Sequence, residues 1–590
     1  MRGFQEEPTN PEIKEMQAVE GGLDKSQTDS STGTSGPWND SEMRSGAFPL
    51  NKSILAEENR PTDTADVSSQ TAATNYYPVF GNFTLEKIIE SIDGAGSYQR
   101  MLVMCSMLCM FGSSFVSFCI SFLAAEPLFK CEKADQPGTF VDCSERIACQ
   151  ESNPQVYFRY NSWTESMQMY CEQKFARESG KFVCLLVNSL TCFFCLNLSD
   201  VYGRKKMIVV NTIVVILALI ASYLCSEYHI KMMFVGLAFG CEGCFSSLYL
   251  FLINEVSTPT SKLKSRISAY TLASFSIGVM CLNLMSFGFK TADHLMIAII
   301  ICLVVILYPN MVVLKESPTW LIKQNRIEEA TANFKKISIF NGRSLPDLYF
   351  GEMLQALQDS LNSTQESADP SGKSYDHKLS FIERLELLFT NKDYRTSLFI
   401  LASVSSSLFC LYYGMTTSIQ DMGLEPLQLN GLFVGFTQAV GFLLVLKYLA
   451  TTKRKLALLL IQSSLLFCAF LLVTLSFFEE YRMSIYLQGA ISTIIMSAFI
   501  SALFSFLFVT NAETFPTQIK GLAVGLILLI GKLVGSLAPF INLFSKHMKV
   551  HVMVGSALPL FLSLLTSMCL RETLDPALTA KRHKLKAHLG

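Results

Sequence analysis

The chain has 590 residues, of which half are apolar and only 16% are charged, against about 25% charged in an ordinary soluble domain. A net charge of −1 excludes a broadly basic nucleic-acid binder, and 18 cysteines are too dilute for a disulfide scaffold. So apolar a composition, with 44 Phe, fits a chain whose surroundings are the lipid bilayer.

Residues 1–80 are rich in Ser, Thr, Glu, Asp, Asn and Gly and contain no apolar run. Such composition cannot offset chain entropy, so a disordered tail is expected there. It lacks the basic start and apolar core of a cleaved signal peptide. From Gln99 onward, apolar runs long enough to cross about 30 Å of hydrocarbon recur. The predicted spans are 99–124, 181–199, 207–225, 232–253, 267–289, 294–314, 396–415, 428–449, 456–478, 484–510, 518–541 and 551–570. The longest interruption, 315–395, splits these twelve into six and six.

Lys and Arg in the short loops set the orientation. An N-terminus inside gives the cytosolic loops Arg204, Lys205, Lys206, Lys262, Lys264, Arg266, Lys453, Arg454, Lys455 and Lys520. The opposite loops hold only Lys231, Lys290, Arg482, Lys546 and Lys549. Both termini are therefore expected in the cytosol, and the segment 126–180 outside. Its Cys131, Cys143, Cys149 and Cys171 then meet an oxidising compartment, where three pairings are open. No N-x-Ser/Thr site falls in that segment.

The two halves echo each other. Asn254-Glu255-Val256-Ser257-Thr258-Pro259-Thr260-Ser261-Lys262 follows span four, and Asn511-Ala512-Glu513-Thr514-Phe515-Pro516-Thr517-Gln518-Ile519-Lys520 follows span ten. Each places a carboxylate at one helix end, Pro at a turn and a cation at the next helix start. Parallel six-helix repeats describe the major facilitator architecture, which binds substrate near the midplane between its halves.

The loop Leu198-Ser199-Asp200-Val201-Tyr202-Gly203-Arg204-Lys205 resembles the G-x-L-x-D-R/K-x-G-R-K/R loop of that superfamily. Glu316-Ser317-Pro318-Thr319-Trp320-Leu321-Ile322 resembles the E-S-P-R-W-L-L signature of the organic cation/anion/carnitine transporters, solute carrier family 22. An amphipathic stretch from Ile327 to Gly342 and Tyr412-Tyr413-Gly414 follow as in that family, so that the resemblance covers about 83–575 of this chain. Departures mark a divergent member. Leu196 and Val201 stand where the loop motif has Gly and a basic residue. The second-half loop, Leu449 to Lys455, has lost its Asp. Gln438 replaces a common Glu, and neutral Leu533 occupies the position where relatives place Asp or Arg.

The resemblance implies an all-α membrane protein with twelve helices in two bundles. The expected parts are the tail 1–80, a bundle 83–314 with its extracellular loop 126–180, a cytosolic linker 315–395 with amphipathic helices, a bundle 396–570 and a cytosolic tail 571–590. It also implies a cytosolic gate formed by Asp200, Gly203, Arg204, Lys205, Glu255 and Lys262, with Arg454, Glu513 and Lys520 as second-half counterparts.

Two intramembrane charges give the sharpest expectation from the residues themselves. Glu242 lies about ten residues into span four and Lys532 about fourteen into span eleven, both near mid-bilayer at ~1.5 Å per residue. Exposing either to lipid costs about 2.5–3.5 kcal/mol, so both should face a central cavity. Glu242 is expected to bind a cationic group and Lys532 a carboxylate, with a mutual salt bridge, or a snorkelling Lys532, as the alternative. Tyr412 and Tyr413 offer ring faces for cation–π contact, and Gln438, Asn188 and Tyr249 could orient polar groups. No phosphate loop, zinc motif or nucleophile elbow is present, so no enzyme activity, metal or cofactor is expected. The expected function is alternating-access transport of a small organic ion, with proton or sodium as candidate coupling ion, in the plasma membrane. A transporter-like receptor or scaffold and a sugar-type carrier are the alternatives.

Overall fold

A bilayer offers the backbone no water to bond, so the apolar runs form helices, each satisfying its own N–H and C=O groups. The computed structural model describes residues 79–80, 83–126, 128–133, 136–143, 148–149, 155–157, 161–257, 261–289, 291–343, 345–366, 381–422, 427–449, 452–478, 482–515 and 519–570. The tails expected at 1–80 and 571–590 lie outside these, except for a short hairpin that pairs Val79–Phe80 with Phe83–Thr84.

Among the described residues, eleven helices are long and apolar enough to cross a membrane, and a shorter apolar helix follows them. The first half comprises α1 (Ser97–Leu123), α2 (Lys174–Tyr202), α3 (Arg204–Leu224), α4 (Tyr228–Val256), α5 (Ser261–Gly288) and α6 (Ala292–Val313). The second comprises α7 (Lys392–Thr417), α8 (Leu427–Leu449), α9 (Arg454–Ser476), α10 (Met483–Asn511), α11 (Lys520–His547) and the shorter α12 (Val552–Ser567). The end bearing the 126–180 loop is called outer below.

Packing repeats between the halves. Helix α1 packs on α5 and α6, α2 on α4, and α3 on α6; likewise α7 packs on α11 and α12, α8 on α10, and α9 on α12. Across the halves, α2 meets α11 and α5 meets α8. Lipid gives no hydrophobic drive between helices, so small residues that admit close backbones set these contacts. Gly236 and Gly240 bring α4 onto α2, where an added Cβ would lie 2.3 Å from the Cys184 carbonyl oxygen and 2.5 Å from Thr191. Gly431 and Gly435 seat α8 on α5, and Gly531 and Gly535 seat α11 on α7. All three pairs are G-x-x-x-G.

Three differences from expectation matter. The outer loop contains a small antiparallel sheet, with Leu128–Lys133 between Gln136–Cys143 and Gln155–Tyr157, so the molecule is not wholly helical. In that loop Cys149 is bonded to Cys171 and Cys131 is also in a disulfide, while the Cys143 side chain lies outside the described residues. Helix α11 does not stop at 541. It breaks at Ser536, resumes at Ala538 with Pro539 in its first turn, and runs to His547, carrying Lys546 onto a helix end.

The linker helix Ile327–Phe340 is tied back to the first half by Asn341. Its Oδ1 accepts the Tyr98 N–H at 2.8 Å, and its Nδ2 donates to the Ile92 carbonyl at 2.8 Å.

Just before α12, His551 Nδ1 accepts the Met553 N–H at 3.3 Å, and its buried Nε2 has no hydrogen-bond partner. Burial pushes this imidazole down to about 4. A folded value below the ordinary 6.5 means full stability above pH 6.5, lost as pH falls toward 4. Between those limits the wild-type protein should lose about 3 kcal/mol, read as a falling thermal midpoint in detergent. His551→Asn should show a shallower slope in the same melts; equal slopes would refute the assignment.

Candidate functional site

The central cavity is bounded by α1, α4, α5, α7, α8, α10 and α11 and measures about 80 Å³ for water-sized centres, several times what one water needs. Its walls carry six phenylalanines, Phe239, Phe275, Phe409, Phe442, Phe504 and Phe508. Its polar groups are Ser113, Ser117, Ser246, Ser501, Gln438, Tyr412, Tyr413, Glu242 and Lys532. A narrower pocket shares Ser246, Leu272 and Phe508 and continues along α4 to Ile253, toward the inner end.

Glu242 and Lys532 are only 1% and 3% exposed and both border the cavity, away from lipid. They make no ion pair with each other. Lys532 Nζ instead donates to Asn188 Oδ1 at 3.0 Å, and Asn188 Nδ2 donates to the Tyr413 hydroxyl at 2.7 Å. The ammonium also lies 5.7 Å from the Phe409 ring centre. Glu242 has no basic partner; the polar group beside its carboxyl is the Ser113 hydroxyl. The cavity thus holds one carboxyl group without a basic partner and one ammonium bonded to a neutral amide. Tyr412 is fixed by edge contacts to Phe118 at 6.0 Å and Phe504 at 5.4 Å.

Tyr249 is the misplaced expectation. It does not line the cavity; its hydroxyl donates to Asn310 Oδ1 at 2.5 Å and lies 3.4 Å from the Cys109 sulfur, linking α4 to α6 and α1. It satisfies buried polar groups between helices of one half.

At the inner end, the Arg204 guanidinium reaches Asp200 and Glu255, each at 3.2 Å. Arg384 of the helix Phe381–Thr390 approaches Asp200 at 3.7 Å. The Asp200 carboxylate rests at the start of α11, so close that a Cβ on Gly521 would lie 2.4 Å from Oδ2. A carboxylate suits the positive N-terminal end of a helix.

Glu316 of the span-six signature has a role that sequence alone did not assign. Its Oε1 accepts the N–H groups of Arg204 and Lys205 at 2.8 and 3.2 Å, capping α3. Gly203 bends the chain at φ 102°, and a Cβ there would sit 2.5 Å from Glu316 Oε2, which explains glycine on both counts. The Trp320 indole N–H donates to the Asp200 carbonyl at 2.9 Å, interlocking the two motifs. In the second half Arg454 grips Glu513 with bonds of 3.0 and 2.9 Å. Lys205 contributes its backbone here, Lys520 opens α11, and the Lys262 side chain lies outside the described residues.

The outer end carries a charge cluster not anticipated from sequence. Glu126, just past α1, meets Lys546 of α11 at 2.9 Å and Arg177 of α2 at 3.2 Å. Lys546 also meets Asp421, after α7, at 2.9 Å. Glu178 bonds Lys181 at 2.9 Å and Arg177 at 3.2 Å. Three acids balance three bases, and Arg177 is fully buried. Burial alone would raise the Glu126 carboxyl, but the cations of Lys546, Arg177 and Lys181 hold it well below the usual carboxylate range. Burial pushes Asp421 up, against the pull of Lys546. This cluster joins the two halves at the outer end.

Comparison with known proteins decides the family. The family model described as sugar (and other) transporter matches residues 155–573. The chain belongs to that transporter family. It is 22% identical over 418 residues to the organic cation transporter-like protein of Drosophila melanogaster, covering 70% of each chain. It is 26% identical over 420 residues to human solute carrier family 22 member 7, covering 69% of each. The resemblance to solute carrier family 22 read from the span-six signature therefore holds along most of the chain. Among solved structures, the proton:xylose symporter XylE superposes with a TM-score of 0.55 at 14% identity, covering 81% of this chain and 97% of that one. That likeness establishes the major facilitator fold of this transporter. Its relatives are membrane transporters, and this chain is a multi-pass membrane carrier of a small molecule.

Proposed function

We propose that this transporter moves small organic ions bearing a cationic group, quaternary ammonium compounds and carnitine-like zwitterions among them, across the plasma membrane. The observation that carries this reading is the Glu242 carboxylate, buried among aromatic rings with no basic side chain paired to it. Leaving such a group unpaired costs several kcal/mol, and a bound organic cation removes that cost. Ring faces at Tyr412 and Tyr413 add about 0.5–2 kcal/mol each to a cation. Lys532 receives a substrate carboxylate in place of Asn188, and Gln438 orients polar groups.

The halves 83–314 and 396–570 rock about this cavity, with both termini and the linker 315–395 in the cytosol. Asp200, Arg204 and Glu255, with Arg454 and Glu513, close the inner end, and the Glu126–Lys546 cluster closes the outer one. A relative named as organic cation transporter-like agrees with this substrate class.

Uptake by reconstituted vesicles tests it, using tetraethylammonium, carnitine, urate and para-aminohippurate. Tetraethylammonium and carnitine should enter, and Glu242→Gln should cut tetraethylammonium uptake at least tenfold with little change in thermal midpoint. Normal cation uptake by that variant, or transport confined to para-aminohippurate and urate, would remove the reading.

A further inference from the structure

We infer that Cys195 of α2 and Cys241 of α4 form an oxidation site within the helix bundle, where a hydroperoxide joins them as a disulfide and slows the carrier. The disulfide stands apart from the transport activity proposed above; the slowing rests on it.

The sequence carries two C-x-x-C pairs, Cys192 with Cys195 and Cys241 with Cys244. Residues three apart share a helix face, and the fold brings the two pairs together. Close packing of α4 on α2 makes this possible. A Cβ on Gly240, the residue before Cys241, would lie 2.5 Å from Thr191, the residue before Cys192. All four thiols are buried. Among the described residues no three such groups are placed to hold a metal ion, so the chemistry left to the cluster is oxidation.

The neighbours single out one pair. The Cys195 and Cys241 sulfurs lie 3.9 Å apart. Cys244 is engaged elsewhere: its thiol donates to the Cys241 carbonyl at 2.8 Å and accepts from Asn211 Nδ2 at 3.1 Å. Cys192 lies beside the Lys532 ammonium. A disulfide holds its sulfurs at about 2.05 Å, so the pair must close by about 1.9 Å. Cys195 is 8% exposed and Cys241 3%, and Cys241 adjoins Glu242 in the cavity wall. A small neutral oxidant enters so apolar a site at far lower cost than a charged one.

Hydrogen peroxide supplies the balance. The Cys195 sulfur attacks one peroxide oxygen, giving a sulfenic acid and one water. The Cys241 sulfur then displaces the hydroxyl, which leaves with the thiol proton as a second water. Two S–H bonds and the O–O bond break, while one S–S and two O–H bonds form. The two electrons lost by the sulfurs reduce the peroxide. In a close-packed interior a closure of about 1.9 Å is felt by the neighbours. Glu242 follows Cys241 directly, and Asn188, which holds Lys532, lies about two turns before Cys195. The bond therefore disturbs the supports of both charged groups in the cavity.

The test treats the carrier in vesicles with hydrogen peroxide, blocks free thiols and reads the digest by mass spectrometry. Peptides joined through Cys195 and Cys241 should appear in at least half of the chains and vanish with a reductant. Cys244→Ser should keep the link and Cys195→Ser should lose it. Tetraethylammonium uptake should fall at least fivefold on oxidation, recover on reduction, and ignore peroxide in Cys195→Ser. Should that variant fold poorly, fragment masses from the wild-type chain identify the joined sulfurs alone. No link, or a bond through Cys192 or Cys244, would overturn the site. A link that leaves uptake unchanged would overturn the slowing. If wild-type vesicles take up no organic ion, the proposed function and the slowing fall together, while the linked peptide still decides the site.

Discussion

Lys546→Met is expected to shift this carrier to its outward-open state by roughly two to three orders of magnitude. Lys546 meets both Glu126 and Asp421, at 2.9 Å each, and so bridges the end of α11 to the segments after α1 and α7. Removing one partner of a buried ion pair costs about 3–5 kcal/mol, and about 3 kcal/mol is expected here, where the paired side chains keep 20–25% of their surface exposed. The two states of an alternating-access carrier differ by only a few kcal/mol, so a loss of that size inverts their ratio. Glu126 keeps Arg177, whereas Asp421 is stranded, and opening the outer end to water relieves it. A membrane-impermeant maleimide reads the change at Ser418→Cys in a Cys225→Ser background, since Ser418 is only 4% exposed in this structure. Labelling should rise at least a hundredfold and net uptake should fall. Asp421→Asn, which leaves the Glu126 bond in place, should do much less. Unchanged labelling in Lys546→Met would remove the outer cluster from the gating account.

The membrane helices were legible because a span needs about twenty apolar residues whatever it packs against. The inward aim of Glu242 and Lys532 was legible for a related reason: a charge on the lipid side is too costly to keep. Their partners were not. Lys532 could have met Glu242, and its bond to Asn188 joins α11 to α2 across 344 residues of sequence. Tyr249 shows the same limit, since nothing in its neighbours tells whether it faces the cavity or Asn310. The outer cluster escaped because Arg177 and Glu178 belong to a part of α2 that begins earlier than apolarity suggests. Lys546, for its part, read as a loop cation until α11 proved to continue past its break at Ser536. Glu316 belonged to a recognisable signature, yet its work as the cap of α3 emerges only from the folded chain.

Lys532→Met should separate zwitterions from simple cations. In the empty cavity the ammonium donates to Asn188 Oδ1 at 3.0 Å, a neutral acceptor. A substrate carboxylate offers a charge-assisted bond roughly twice as strong, so it displaces the amide when it arrives. Tetraethylammonium has no such group and gains nothing from Lys532; its attraction lies with Glu242 and the Tyr412 and Tyr413 rings. Removing the ammonium should therefore lower carnitine uptake at limiting concentration about a hundredfold. Tetraethylammonium uptake should stay within about threefold of wild type, or rise as the nearby positive charge disappears. The fold should survive, because Asn188 keeps its bond to Tyr413 and loses only the contact at Oδ1, a cost of about 1–3 kcal/mol. Equal losses for the two substrates would mean that Lys532 merely braces α2 against α11. Undiminished carnitine uptake would place the substrate carboxylate somewhere other than beside this ammonium.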